Sequence, residues 1–134
     1  MIKNVQNYEI EDLFKPNSDE YYVIPKYQRE YTWGQNQWSD LYDDINENDL
    51  GYFIGTIICI DNHVPNDKVH PLEVIDGQQR LTTLSLLILT IFNLIKGYRD
   101  YLKDDDALGE YVRIRQFLQS KETDSGLKLI LQTQ

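Results

Sequence analysis

Leu72-Glu73-Val74-Ile75-Asp76-Gly77-Gln78-Gln79-Arg80-Leu81-Thr82-Thr83-Leu84 decides the fold. Leu72 to Ile75 reads as a short apolar strand, and a long apolar helix begins just past Gly77. The junction holds a carboxylate, a glycine, two carboxamides and a guanidinium, where burial alone would ask for none of them. A helix start with Asp76 as N-cap and Gly77 easing the turn accounts for two of these residues. It leaves Gln78, Gln79 and Arg80 unexplained. A strand end that meets a helix N-terminus offers free backbone N–H groups and the positive end of the helix dipole, which suits an anion. Arg80 adds a planar fork of donors matched to phosphate. Asp76 would repel a bare phosphate, so its presence suggests a metal ion or a water to be oriented.

Working outward, the helix is predicted over Gln79 to Lys96, ended by Gly97. Its apolar residues lie on nearly every side, the pattern of a helix buried against a sheet. Upstream, Tyr52 to Ile60 reads as a buried strand interrupted by Gly55, and Asp61 to Pro71 as a surface loop. Gly55-Thr56 marks a bulge or a close backbone approach, by a ligand or by a packed helix. Trp38, Leu41, Tyr42 and Ile45 follow the spacing of an amphipathic helix over Gln35 to Asn46, with Thr32 and Gly34 near its cap. Tyr21 to Ile24 is a strand ended by Pro25, and Glu9 to Phe14 a short helix or turn. Downstream, a second helix runs from Ala107 to Gln119, and Leu127 to Leu131 starts another strand. Asp104, Asp105 and Asp106 read as a solvated loop or helix start, because three consecutive carboxylates do not converge on one ion.

A second candidate site is Ile24-Pro25-Lys26-Tyr27-Gln28-Arg29-Glu30-Tyr31-Thr32-Trp33. One reading is a nucleotide pocket, with Lys26 and Arg29 for phosphate and Tyr27 or Trp33 for a base to stack on. The other is a turn whose aromatics cover the edge of the core while Arg29 pairs with a neighbouring acid. His63 and His70 flank the 61–71 loop without zinc spacing, and Cys59 sits in an apolar strand as a core residue. Neither a nucleophile elbow nor a Walker-type phosphate loop is present in the sequence.

The chain has 134 residues, enough for one compact domain. A formal net charge of -9 argues against a domain that grips nucleic acid through a broad basic face. A single cysteine cannot form an internal disulfide, which fits a reducing, cytoplasmic setting. The amino terminus has no signal-peptide pattern. The apolar run from Leu84 to Ile95 falls short of the roughly 20 residues that span a bilayer, so no membrane association is expected. No closing element is visible near Gln134, so the chain reads as the front part of a longer protein.

Three blocks together resemble the N-terminal domain of the GmrSD type IV restriction enzyme family. They are Ile24-Pro25-x-Tyr27-Gln28-Arg29-x-Tyr31-x-Trp33, then Tyr52-Phe53-Ile54-Gly55-Thr56-Ile57, then Asp76-Gly77-Gln78-Gln79-Arg80-Leu81-Thr82-Thr83-Leu84. Their order and spacing agree with the family, and they cover the chain from Ile24 to about Ile95. The resemblance implies an α+β domain of ParB/sulfiredoxin type, a small mixed sheet packed on helices. It implies a role in defence against phage DNA, often DNA with modified bases, in which NTP binding and hydrolysis regulate or power a nuclease. That nuclease is usually a C-terminal HNH-type domain or a partner subunit, and no His-Asn-His constellation lies in this chain. Carried over, Asp76, Gln78, Gln79 and Arg80 form the hydrolysis motif, with Gln28 and Arg29 as the facing wall. Lys26, Tyr27, Trp33, Gly55, Thr56 and Gly77 complete the nucleotide pocket.

The expected mechanism has Arg80 and Arg29 on phosphate oxygens, Asp76 on Mg²⁺, and Gln78 or Gln79 orienting the attacking water. The alternative is a module that senses nucleotide or DNA without turnover and controls a partner nuclease. The expected partners are the nucleotide, a nuclease domain or subunit, DNA through the full-length protein, and a second copy of the chain.

Overall fold

The short apolar runs on either side of Tyr22 and Val74 become the two central strands of a sheet. The computed structural model describes residues 4–15, 19–28, 30–98, 105–117 and 129–131. Its elements are α1 (Ile10–Leu13), β1 (Glu20–Ile24), α2 (Gln35–Glu47), β2 (Ile58–Asp61), β3 (His70–Asp76), α3 (Gln78–Gly97), α4 (Asp105–Phe117) and β4 (Leu129–Leu131). The strands form one mixed sheet in the order β2-β3-β1-β4. β1 runs parallel to both β3 and β4, and β2 runs antiparallel to β3. The architecture is α+β, as the sequence led us to expect.

Side chains two apart in a strand share a face. Tyr22 and Ile24 of β1 therefore point into the core together, beside Val74 of β3. Leu81 and Leu84 of α3, Leu41 of α2 and Phe14 close that core, and Val74 and Leu81 have no solvent exposure. The Tyr22 hydroxyl donates to the Leu13 carbonyl at 2.8 Å, so its polar atom is satisfied where it is buried. Burial pushes its pKa up. Cys59 packs against the same core, half-buried, as its apolar setting suggested.

Two expectations are corrected. The strand read over Tyr52 to Ile60 is regular only from Ile58, and it is not buried, since Ile58 and Ile60 are exposed. Gly55 has φ +126°, a backbone state that breaks a ladder, and among the described residues β2 pairs with β3 alone. The second correction concerns α3, read as buried along its length. Its buried residues are Gln79, Leu81, Thr83 and Leu84, all in the first two turns. Beyond them Leu86, Leu89, Ile91 and Leu94 are exposed, while Phe92 stacks on Tyr111 of α4 with ring centroids 5.1 Å apart. A helix of this length covers about 30 Å, whereas the seven residues of β3 extend roughly 23 Å. The helix outruns the sheet it starts from.

At 20 residues and a mean hydropathy of 1.3, α3 is also long and apolar enough to cross a membrane by length and composition. The short apolar run therefore does not exclude a span by length; in the fold it is the first two turns of α3, through Leu81 and Leu84, that pack into the core. The remaining elements fall where the sequence placed them, within a residue or two. Arg29, Asp104, Leu118, Gln119 and Leu127 lie outside the described residues.

Candidate functional site

Strand direction gathers the three sequence blocks at one edge of the sheet. β1 and β3 are parallel, so their carboxyl ends, Ile24 and Asp76, emerge on the same side. β2 is antiparallel to β3 with Ile58 opposite Asp76, so the 55–57 segment enters from that side too. Sheets of parallel strands hold their ligands at the carboxyl ends, where loops and helix N-termini converge.

The 25–33 loop is tied down over this edge by side chains from the other segments. The Gln28 amide N–H closes a turn on the Pro25 carbonyl at 3.1 Å, and its carboxamide donates to the Ile75 carbonyl at 3.3 Å. The Tyr27 hydroxyl donates to Glu73 Oε1 at 2.6 Å, and this carboxylate contact raises the Tyr27 pKa. Gln79 is the main anchor. Its Oε1 accepts the amide N–H groups of Thr32 (2.8 Å) and Trp33 (3.3 Å), while its Nε2 donates to the Glu30 carbonyl at 2.9 Å. A carboxamide carries its acceptor oxygen and donor nitrogen on separate atoms, so one side chain serves two amide N–H groups and a carbonyl together. A second chain runs beside it. The Trp38 indole N–H donates to the Tyr31 hydroxyl (2.7 Å), which meets Thr83 Oγ1 (2.8 Å), and Thr83 donates to the Gln79 carbonyl (2.8 Å). Because Thr83 uses its proton on Gln79 and the indole can only donate, Tyr31 must donate to Thr83.

Arg80 stands at the centre. Its Nη1 donates to the Thr56 carbonyl at 3.2 Å, and its guanidinium carbon lies 5.9 Å from the centroid of the Trp33 ring, within cation–π reach. Gly55 makes this possible: a Cβ there would collide with the guanidinium. Gly77 is the N-cap of α3, in a left-handed conformation with φ 87°, and a Cβ on it would come 2.7 Å from the Thr56 carbonyl oxygen. Asp76 is therefore not the cap. It ends β3, exposed, with Oδ1 accepting the Gly77 amide N–H at 2.9 Å. Gln78, the first residue of α3, is half-buried. The Arg80 Nε is buried and has no hydrogen-bond partner.

The structure thus brings Gln28, Trp33, Gly55, Thr56, Gly77, Gln79 and Arg80 together, with Asp76 and Gln78 flanking them. Tyr27 is directed to Glu73, Lys26 is exposed, and Arg29 lies outside the described residues. Among the described residues no cluster of three His, Cys, Asp or Glu side chains could hold a metal ion. Mg²⁺ beside a triphosphate often takes only one or two protein carboxylates, the rest being phosphate and water. The free Asp76 Oδ2 fits that lesser role.

The sequence reading passed over Glu73, Thr83 and Trp38 as part of this assembly. It read His63 and His70 only as flanking a loop without zinc spacing; their rings stack at 4.3 Å and His70 Nε2 lies 2.7 Å from Asp61 Oδ1. All of these partners are set by tertiary approach, for which the sequence carries no local signal.

No curated protein matches the chain. A family model described as the GmrSD restriction endonuclease N-terminal domain matches residues 10–132. That span takes in every arm of the site, and the chain belongs to the GmrSD N-terminal domain family and is part of a restriction system.

Proposed function

We propose that this domain binds a nucleoside triphosphate with Mg²⁺ at the sheet edge and hydrolyses it, regulating a nuclease domain or subunit that cleaves phage DNA. The observation that carries the reading is the Arg80 Nε, buried with no partner in the midst of three converging segments. Leaving a charged group's donor buried and unmatched costs on the order of 1–3 kcal/mol. A phosphate oxygen reaching Nε recovers that cost. Arg80 would offset the charge that develops on the transferred phosphoryl group. Asp76 would hold Mg²⁺, which supplies phosphate polarisation. Gln78 would orient the water, and Trp33 would keep the guanidinium aimed. Lys26 and Arg29 would meet phosphate from the loop, with Tyr27 available to a base. With a net charge of -9, this domain would meet DNA through the rest of the restriction system rather than through its own surface.

One observation favours the second reading, a nucleotide sensor without turnover. Gln79, one of two carboxamides expected to orient water, has its acceptor and a donor engaged by the loop. Thermal shift and phosphate release, read together across a panel of nucleotides with Mg²⁺, separate the two. Stabilisation with release, both lost in Arg80→Ala, supports the hydrolase. Stabilisation without release supports the sensor. If no nucleotide shifts the melting temperature, both readings fail.

A further inference from the structure

The nucleotide reading above, on which this inference rests, leaves the base to be placed. We infer that Glu73 is a positioning residue for that base, holding the Tyr27 ring as a fixed stacking platform. Both carboxylate oxygens of Glu73 are engaged. Oε1 accepts the Tyr27 hydroxyl at 2.6 Å, and Oε2 accepts the Asn62 side-chain N–H at 2.9 Å. The carboxylate is thereby pinned from two sides, by the 25–33 loop and by the residue that follows β2. Tyr27 is tethered at its polar tip, and its neighbour Gln28 is bonded to the Pro25 and Ile75 carbonyls. Tyr27 nonetheless remains 71% exposed. Aromatic rings stack bases of any identity. A ring whose hydroxyl is already fixed loses little further freedom when a base settles on it.

Strand periodicity gives the platform its place. Val74 points into the core, so Glu73 and Ile75 point to the opposite face of the sheet. Val23 and Ile60 are the register partners of Glu73 on β1 and β2 and share that face. Ile60 is exposed, while Val23 and Ile75 are half-buried. An apolar floor beside a fixed aromatic ring suits a flat base. Glu73 lies three residues, roughly 10 Å of strand, before Asp76. A nucleotide with its base here would pass its ribose over the strand end and its phosphates to Arg80. The negative charge of Glu73 repels phosphate, which sets the direction in which the nucleotide lies.

The test is calorimetric titration of the whole chain with ATP, GTP and inorganic tripolyphosphate, each with Mg²⁺. The native chain should bind ATP or GTP more tightly than tripolyphosphate. Tyr27→Phe keeps the ring and removes its tether, and should weaken nucleotide binding by about fivefold, the cost of immobilising one side chain. Glu73→Ala should do the same, and should add nothing in the Tyr27→Phe background. Tyr27→Ala, which removes the ring, should weaken nucleotide binding by about tenfold or more. Affinity for tripolyphosphate should stay native in every variant, whereas general damage to β3 would lower it. The inference is overturned, with the phosphate reading left standing, if the native chain binds tripolyphosphate as tightly as both nucleotides. It is also overturned by equal losses for nucleotide and tripolyphosphate, by additive losses in the double variant, or by native nucleotide binding in Tyr27→Ala. If none of the three ligands binds the native chain, the inference and the nucleotide reading fall together.

Discussion

Gly55 and Arg80 are a matched pair: the guanidinium occupies the space a side chain at Gly55 would fill. Gly55→Ala should therefore act twice. An alanine at φ +126° is strained by about 1–3 kcal/mol, and its methyl group drives Arg80 from its place over Trp33. We expect a lower melting temperature and loss of any nucleotide-induced shift, measured in one thermal experiment. Gln79 makes the complementary point. Gln79→Ala leaves the Thr32, Trp33 and Glu30 backbone groups without their partner, at a cost on the order of 1–3 kcal/mol. Gln79→Glu cannot donate to Glu30, so it should be no better than alanine in chemical denaturation at neutral pH. The Asp-Gly-Gln-Gln-Arg block stood out in the sequence as a candidate site because so many polar groups crowd one junction. The anchoring role of Gln79 was not, since its partners lie 46 to 49 residues away in the sequence. Cys59 gives a reactivity prediction: desolvation pushes its thiol up to about 11. It should react slowly with iodoacetamide near neutral pH and faster only on unfolding.

At the level of elements, the β2–β3 hairpin is fastened at its tip by Asp61. Its Oδ1 accepts the His63 amide N–H at 2.9 Å and lies 2.7 Å from His70 Nε2. The His63 amide bond, then the His70 contact, hold the Asp61 carboxyl below the ordinary carboxylate range. A depressed folded-state pKa contributes stability that is present above the unfolded value and lost as pH falls through the folded one. Asp61→Asn should be less stable than the native chain at neutral pH, and the gap should close on acidification. Urea denaturation across the acid range checks this, and a constant gap would refute it. The effect should be modest, because Asp61 is largely exposed and screened. The hairpin looked like a plain polar loop in sequence because histidine stacking across it has no periodic signature. By contrast, α2 and β1 were legible, since each has the helical or extended pattern of a half-buried element. The segment from Tyr52 was misread because its β-branched and aromatic composition favours a strand, whereas the Arg80–Thr56 contact and the Gly55 backbone turn it away from the ladder.

For the whole molecule, the core is small and polarised toward the site. Leu81 and Leu84 couple the first turns of α3 to the sheet, so the fold and the position of Arg80 rest on the same contacts. Leu84→Ala should cost about 2–5 kcal/mol by opening a cavity. Leu94→Glu, at a residue 61% exposed, should change stability by less than roughly 0.5 kcal/mol. It should also reduce binding of a hydrophobic dye, which reports the exposed apolar flank. Equal losses in the two variants would contradict the division of α3 into a buried start and an uncovered end. That division was not legible because the helix is apolar throughout, and composition does not reveal how far a sheet extends beneath it.

The account centres on one atom, the Arg80 Nε, and the most direct measurement is its own nitrogen–proton NMR resonance, assigned by comparison with Arg80→Lys. Addition of Mg²⁺ and a nucleoside triphosphate should shift this resonance and slow its exchange with water, as a phosphate oxygen takes up the free donor. A resonance that stays unchanged while the nucleotide is shown to bind would contradict the account, since the anion would then be held somewhere other than the edge where β1, β2 and β3 converge.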